Sequence, residues 1–241
     1  MINLKIQLRR SPRKLLERDG HPGPGPGQLA LVMARAGVGK TAFLVGIGLD
    51  AMLAGQKVLH VSVENTVDKV RDWYDDVLME MLRREKQLQH WASLQLDLER
   101  RRHIHTYVGH SFSVDRLRHG LELLRDVMHF VPEVVLLDDL EEESLEPATV
   151  AAIKDLAAQT GAELWMSCQI HRDGPPGEPG HLPPPADRFE GLTDLAFRLD
   201  PDRSKVRLHV LKDHQRMLDE DLHVLLDPQT LLLTVGLGAG A

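Results

Sequence analysis

Lys40 and Thr41 close the stretch Ala34-Arg35-Ala36-Gly37-Val38-Gly39-Lys40-Thr41, in which a small residue and four variable ones precede Gly-Lys-Thr. Glycines at these positions let backbone N–H groups curl around phosphate oxygens. A helix beginning there would add its positive dipole end, Lys40 would reach β- and γ-phosphates, and the Thr41 hydroxyl suits magnesium. Residues Ala34, Arg35, Ala36, Gly37, Val38, Gly39, Lys40, Thr41 and the adjoining Ala42 are therefore the expected nucleotide-binding set.

Two further acids have the right setting for chemistry. Val134-Val135-Leu136-Leu137-Asp138-Asp139 is an apolar run ending in carboxylates, the arrangement that holds magnesium opposite a phosphate loop. Asp138 is assigned as the ligand beside Thr41, with Asp139 as the alternative, because the end of the strand is not fixed by spacing. Glu64 directly follows the apolar run Val58–Val63. There it would enter the crevice where α/β sheets bind ligands, and its carboxylate could orient or deprotonate an attacking water. Capping of the next helix is the competing role for this acid.

The elements needed to position these groups alternate along the chain. Leu29–Met33 reads as a buried strand, Lys40–Ala54 as a helix stopped by Gly55, and Lys57–Val63 as the next strand. A charged stretch from about Thr66 to Leu98 has helical spacing of Val70, Trp73, Val77, Met81 and Leu88, predicting one long helix. Strands are expected near His103–Val108, Glu133–Leu137, Glu163–Ser167, Leu195–Leu199, Val206–Leu211 and Leu222–Leu226, and helices near Val114–Phe130 and Pro147–Thr160. Such alternation predicts an α/β fold with a mainly parallel sheet, and the last strands, lacking helices between them, predict an antiparallel extension. The run Gly20–Gly27 supports neither helix nor strand and reads as a linker, whereas Asp173–Pro185 reads as a mobile surface loop.

Composition narrows the class. The 241 residues suffice for one large domain, and 42% hydrophobic with 27% charged residues is ordinary for a globular protein. The single cysteine, Cys168, has no intramolecular partner, and neither a membrane-spanning stretch nor a secretory leader is read, so a cytoplasmic setting is expected. A net charge of −7 argues against general affinity for nucleic acid.

In order along the chain, Gln28 to Thr41, Val58 to Glu64, Val134 to Asp138 and Cys168-Gln169-Ile170-His171-Arg172 resemble the RecA-like ATPases, in the branch of DnaB-type helicases and KaiC. The resemblance implies a three-layer α/β/α domain over 28–241, with a central mainly parallel sheet and C-terminal antiparallel strands, behind a basic N-terminal segment and Pro/Gly linker at 1–27. It implies ATP and Mg2+ as cofactors, catalytic roles for Glu64, Lys40 and Gln169, and a ring, hexameric in that branch, or a filament. Glu64 would activate water and Gln169 would sense the γ-phosphate. It also implies trans-acting cations from a neighbouring copy. These fall on Lys212-Asp213-His214-Gln215-Arg216, where Lys212 fits, His214 replaces a permanent cation poorly and Arg216 fits with a shifted loop.

Helicases of this type hold DNA on the loops after the aspartate strand and the sensor strand. Here the first is Asp138-Asp139-Leu140-Glu141-Glu142-Glu143-Ser144-Leu145-Glu146, which would repel a polyanion, and the second is the proline-rich loop, with only Arg172 and Arg188 near it. Arg9-Arg10-Ser11-Pro12-Arg13-Lys14 and Arg100-Arg101-Arg102-His103 read as charged surface turns. The preferred expectation is a regulatory ATPase that couples nucleotide state to assembly or a protein partner. A DNA-dependent motor or loader using those cations is the alternative, and a nucleotide-binding scaffold with negligible turnover is a third reading. The 66–98 helix and the proline loop would serve as partner surfaces. His103 and His105 share a strand face without completing a metal set.

Overall fold

The computed structural model describes residues 23–109, 111–140, 145–171 and 180–227. The strands are β1 (Leu29–Ala34), β2 (Val58–Ser62), β3 (Arg102–Thr106), β4 (Val134–Asp138), β5 (Glu163–Gln169), β6 (Leu195–Asp202), β7 (Lys205–Asp213) and β8 (Arg216–Leu226). The helices are α1 (Lys40–Leu53), α2 (Val67–Arg84), α3 (Trp91–Glu99), α4 (Val114–Asp126) and α5 (Pro147–Thr160). All eight strands form one sheet in the order β3-β2-β4-β5-β1-β6-β7-β8. From β3 to β6 every pairing is parallel, and β7 and β8 extend the sheet antiparallel. The expected α/β class, parallel sheet and antiparallel C-terminal strands are present.

Helices cover both faces because the central strands are apolar on both. Ala30, Val32, Val58, Leu136, Trp165 and Phe197 face one core with the buried residues of α1, α2 and α3. Leu31, Val61, Leu137, Met166 and Cys168 face the other with those of α4 and α5. Alternation along a strand assigns each residue to a face. This places Ala34, Ser62, Asp138, Ser167 and Gln169 on the α1 side at the carboxyl edge of the sheet.

The predicted 66–98 helix is two helices. Lys86 takes a left-handed backbone (φ 56°), and the Gln87 amide closes onto the Leu82 carbonyl at 2.8 Å, a helix-ending arrangement. A 3-10 turn at Leu88–His90 then sends α3 back so that Leu94 and Leu98 join the α1 core, while Leu88 is 45% exposed. No glycine or proline marks this break in Arg84-Glu85-Lys86-Gln87. Likewise α4 ends at Asp126 rather than Phe130. His129 turns left-handed, and Phe130 packs edge-on to His103 at 4.4 Å, where the gain is burial of the ring.

Parts of the reading lie outside the described residues, namely Arg9–Lys14, Glu141–Ser144 and Arg172–Pro179. The described end of the proline loop is anchored: Leu182 is buried, its amide donates to Glu190 Oε2 at 2.7 Å, and a 3-10 turn at Ala186–Leu192 follows. Among the described residues no helix is long and apolar enough to cross a membrane.

Candidate functional site

Lys40 begins α1 directly after Gly39, whose φ of 114° is a left-handed conformation that side-chain-bearing residues rarely adopt; Gly37 is also left-handed at 75°. The loop thereby turns from β1 into α1 in five residues. The first turn of α1 has neither a side-chain cap nor an acidic residue. By contrast α2 is capped by Thr66, which accepts from the Lys69 amide, and α4 by Ser113, which accepts from the Arg116 amide. An uncapped helix N-terminus behind a glycine turn leaves backbone donors and positive dipole for an anion. Lys40 is nearly buried, and its Nζ donates to Gln169 Oε1 at 3.4 Å.

That contact follows from strand order. Ala34 pairs with Gln169 across β1 and β5, and β5 separates β1 from β4, so Gln169 stands between the glycine loop and the aspartate strand. Asp138 ends β4 fully buried on the α1 side, and both its carboxylate oxygens are without hydrogen-bond partners among the described residues. A buried carboxylate so placed is costly unless a cation meets it. The pair Asp138 and Thr41, with phosphate oxygens and waters, is the sparse oxygen set that magnesium accepts. Among the described residues no group of three or more His, Cys, Asp and Glu could hold a metal ion.

The two neighbouring acids separate cleanly. Asp139 has a left-handed backbone (φ 59°), its amide donates to Ser167 Oγ at 3.1 Å, and its Oδ2 accepts from Asn65 Nδ2 at 2.6 Å. Glu64 is exposed in the bend after β2, which ends at Ser62 rather than Val63. Thr66 caps α2, so Glu64 is not used as a cap, and the residue lies at the same edge of the sheet as Asp138 and Gln169. Asn65, Ser62 and Ser167 were not expected; no local pattern announces hydrogen bonds between strand ends distant in sequence.

Beneath Asp138 lies a second unexpected group. His60, fully buried on β2, shares a 3.0 Å hydrogen bond through Nδ1 with the Tyr74 hydroxyl, and the Arg102 guanidinium carbon sits 4.5 Å over the Tyr74 ring. Gly48 of α1 makes room, since a Cβ there would lie 2.5 Å from the Tyr74 hydroxyl. Loss of hydration pulls the His60 pKa down to about 4, aided by Arg102 and opposed by Asp138. Burial pushes the Tyr74 hydroxyl up and the Arg102 guanidinium down.

An unfolded histidine titrates near 6.5, so between roughly pH 6.5 and 4 the unfolded chain takes up a proton that the native chain refuses. His60 therefore costs native stability as pH falls through that window, by about 3 kcal/mol at its lower end. Urea unfolding at pH 7 and pH 4.5 is expected to show that loss, and His60→Gln should reduce it, leaving the smaller part that His103 and His105 carry, since burial lowers their pKa values too. An unchanged slope in the variant would show that another group carries it.

The three residues for trans action sit at the opposite edge of the sheet. Ala196 pairs with Lys212, and Leu195 with both Asp213 and Ala30, which places them near the start of β1. Gln28, just before β1, is six residues from Ala34, about 20 Å along an extended strand. Lys212 Nζ donates to the Glu190 carbonyl, His214 contacts Asp213 Oδ1 (2.8 Å) and Gln28 Oε1 (3.3 Å), and Arg216 is exposed. None of the three can serve this chain's own loop.

The basic turn at 100–103 is largely used internally, because Arg102 is buried against Tyr74 and Arg101 donates to the Gly55 carbonyl at 2.6 Å. Arg188 pairs with Glu146 at 3.6 Å, and the adjacent Phe189 is fully buried. His103 packs on Phe130, and His105 lies 3.0 Å from where a Cβ of Gly120 would stand. No protein-family model matches the chain, and a search of curated proteins returns no match.

Proposed function

We propose that this chain is a magnesium-dependent ATPase of the RecA-like type, in which nucleotide state governs self-assembly or binding of a protein partner. The observation that carries this reading is the convergence of three groups at one edge of the sheet. The uncapped glycine loop bears Lys40, Gln169 touches Lys40, and the fully buried Asp138 carboxylate has no hydrogen-bond partner among the described residues. In this reading Lys40 and the loop amides bind the phosphates, Gln169 holds Lys40 and meets the γ-phosphate, and Glu64 accepts the proton of the attacking water. Magnesium, held through Thr41 and Asp138, would neutralise charge on the phosphates.

The opposite-edge position of Arg216 supports head-to-tail assembly, in which one copy's basic turn meets the next copy's phosphate loop. The internal use of Arg101, Arg102 and Arg188, and the burial of Phe189, favour a protein partner over a DNA strand. ATP turnover measured across protein concentration, with and without single-stranded DNA, tests the reading. Turnover per chain is expected to rise with concentration and to change less than about twofold with DNA. Stimulation by DNA that collapses as salt rises would replace it with a DNA motor.

A further inference from the structure

We propose that Asn65 and Asp139 are a positioning pair that sets Glu64 against Asp138 and Gln169, an inference that rests on the ATPase reading. Glu64 lies on a three-residue bend, Val63–Asn65, between β2 and the Thr66 cap of α2. An exposed acid on such a bend has no packing of its own to fix its direction. The bend is instead tied to its neighbours at each end. The Val63 amide donates to the Asp138 carbonyl at 3.2 Å, so its first residue is registered to the aspartate strand. At its last residue, the Asn65 amide closes onto Ser62 Oγ at 3.2 Å, and Nδ2 reaches Asp139 Oδ2 at 2.6 Å.

Asp139 is itself held to the next strand, through its amide and Ser167 Oγ at 3.1 Å. The chain of contacts therefore crosses β2, β4 and β5, and each member is within two residues of a group assigned to the chemistry: Asn65 beside Glu64, Asp139 beside Asp138, Ser167 before Gln169. Asp139 takes a left-handed backbone just past the end of β4, and its carboxylate meets Asn65. Asn65 is nearly buried, so water competes poorly for this charge-assisted bond.

Neither residue touches the reacting atoms, so the pair acts through Glu64. The direction of the hydrogen bond provides the test, since the amide can be moved from one side to the other. Steady-state turnover and binding of a fluorescent ATP analogue are measured for Asn65→Ala, Asn65→Asp, Asp139→Asn and the exchanged double variant N65D/D139N. Asn65→Ala is expected to lower kcat roughly tenfold or more with nucleotide affinity unchanged within about twofold. Asn65→Asp should be at least as poor, because two carboxylates would then face each other. Asp139→Asn should fall between wild type and Asn65→Ala, since its side-chain oxygen still accepts from Asn65 and asparagine tolerates the left-handed backbone, but the charge assistance is lost. The double variant should recover most of the activity lost in Asn65→Asp, because the amide introduced at 139 donates to the carboxylate introduced at 65.

In a Glu64→Gln background, Asn65→Ala should cause little further loss, whereas a general structural defect would still lower the residual rate. Wild-type kcat in Asn65→Ala, or a double variant no better than Asn65→Asp, would overturn the pair. Absence of magnesium-dependent ATP turnover in the wild-type chain would instead defeat the underlying reading.

Discussion

Lys40→Ala is expected to abolish ATP turnover and to weaken ATP binding by about a hundredfold or more, the scale set by removing a nearly buried cation from a multiply charged phosphate. The loop amides and the α1 dipole remain in the variant, so residual binding should persist and weaken with salt. The fold should survive, because the side chain's hydrogen bond to Gln169 is a long one, at 3.4 Å. Phosphate release and titration of a fluorescent ATP analogue measure both effects. Wild-type affinity in the variant would mean that Ala34–Thr41 does not bind phosphate, and the ATPase reading would fall with it.

Glu64→Gln should separate binding from chemistry. Loss of a positioned general base lowers turnover by roughly a hundred- to ten-thousandfold. The amide keeps the size of the carboxylate, and Glu64 is exposed and does not cap α2, so ATP affinity and unfolding midpoint should be nearly unchanged. A drop in kcat with constant affinity is the signature of a group acting in the transition state. Unchanged turnover would remove Glu64 from the reaction and leave it a solvated acid. Slow but measurable wild-type turnover would be consistent with Lys212 and His214 being engaged within their own chain.

Much of the architecture was legible because the signals are local. Strands β1 and β4 are largely continuous apolar runs, and α5 spans Pro147–Thr160 as expected, begun by Pro147 and ended by Gly161 in a left-handed conformation. The break between α2 and α3 was not legible. It depends on burying Leu94 and Leu98 against α1, a gain invisible in the Lys86 neighbourhood. Arg102 misled for a related reason: three successive arginines resemble a solvated cluster, but β3 alternation turns the third under the α2 layer onto Tyr74.

The sequence alone determined the glycine turn between strand and helix, since it is written in consecutive positions, and it placed Asp138, Gln169 and Glu64 at or just beyond strand ends. Only the tertiary structure separated the environments of Asp138 and Asp139, burying one toward α1 without a hydrogen-bond partner among the described residues and joining the other to Asn65. It also put Lys212, His214 and Arg216 at the far edge from Lys40. The reason is physical. Local spacing governs how a segment satisfies its own backbone, whereas contacts between segments depend on strand order and register, which are set by the packing of both cores together.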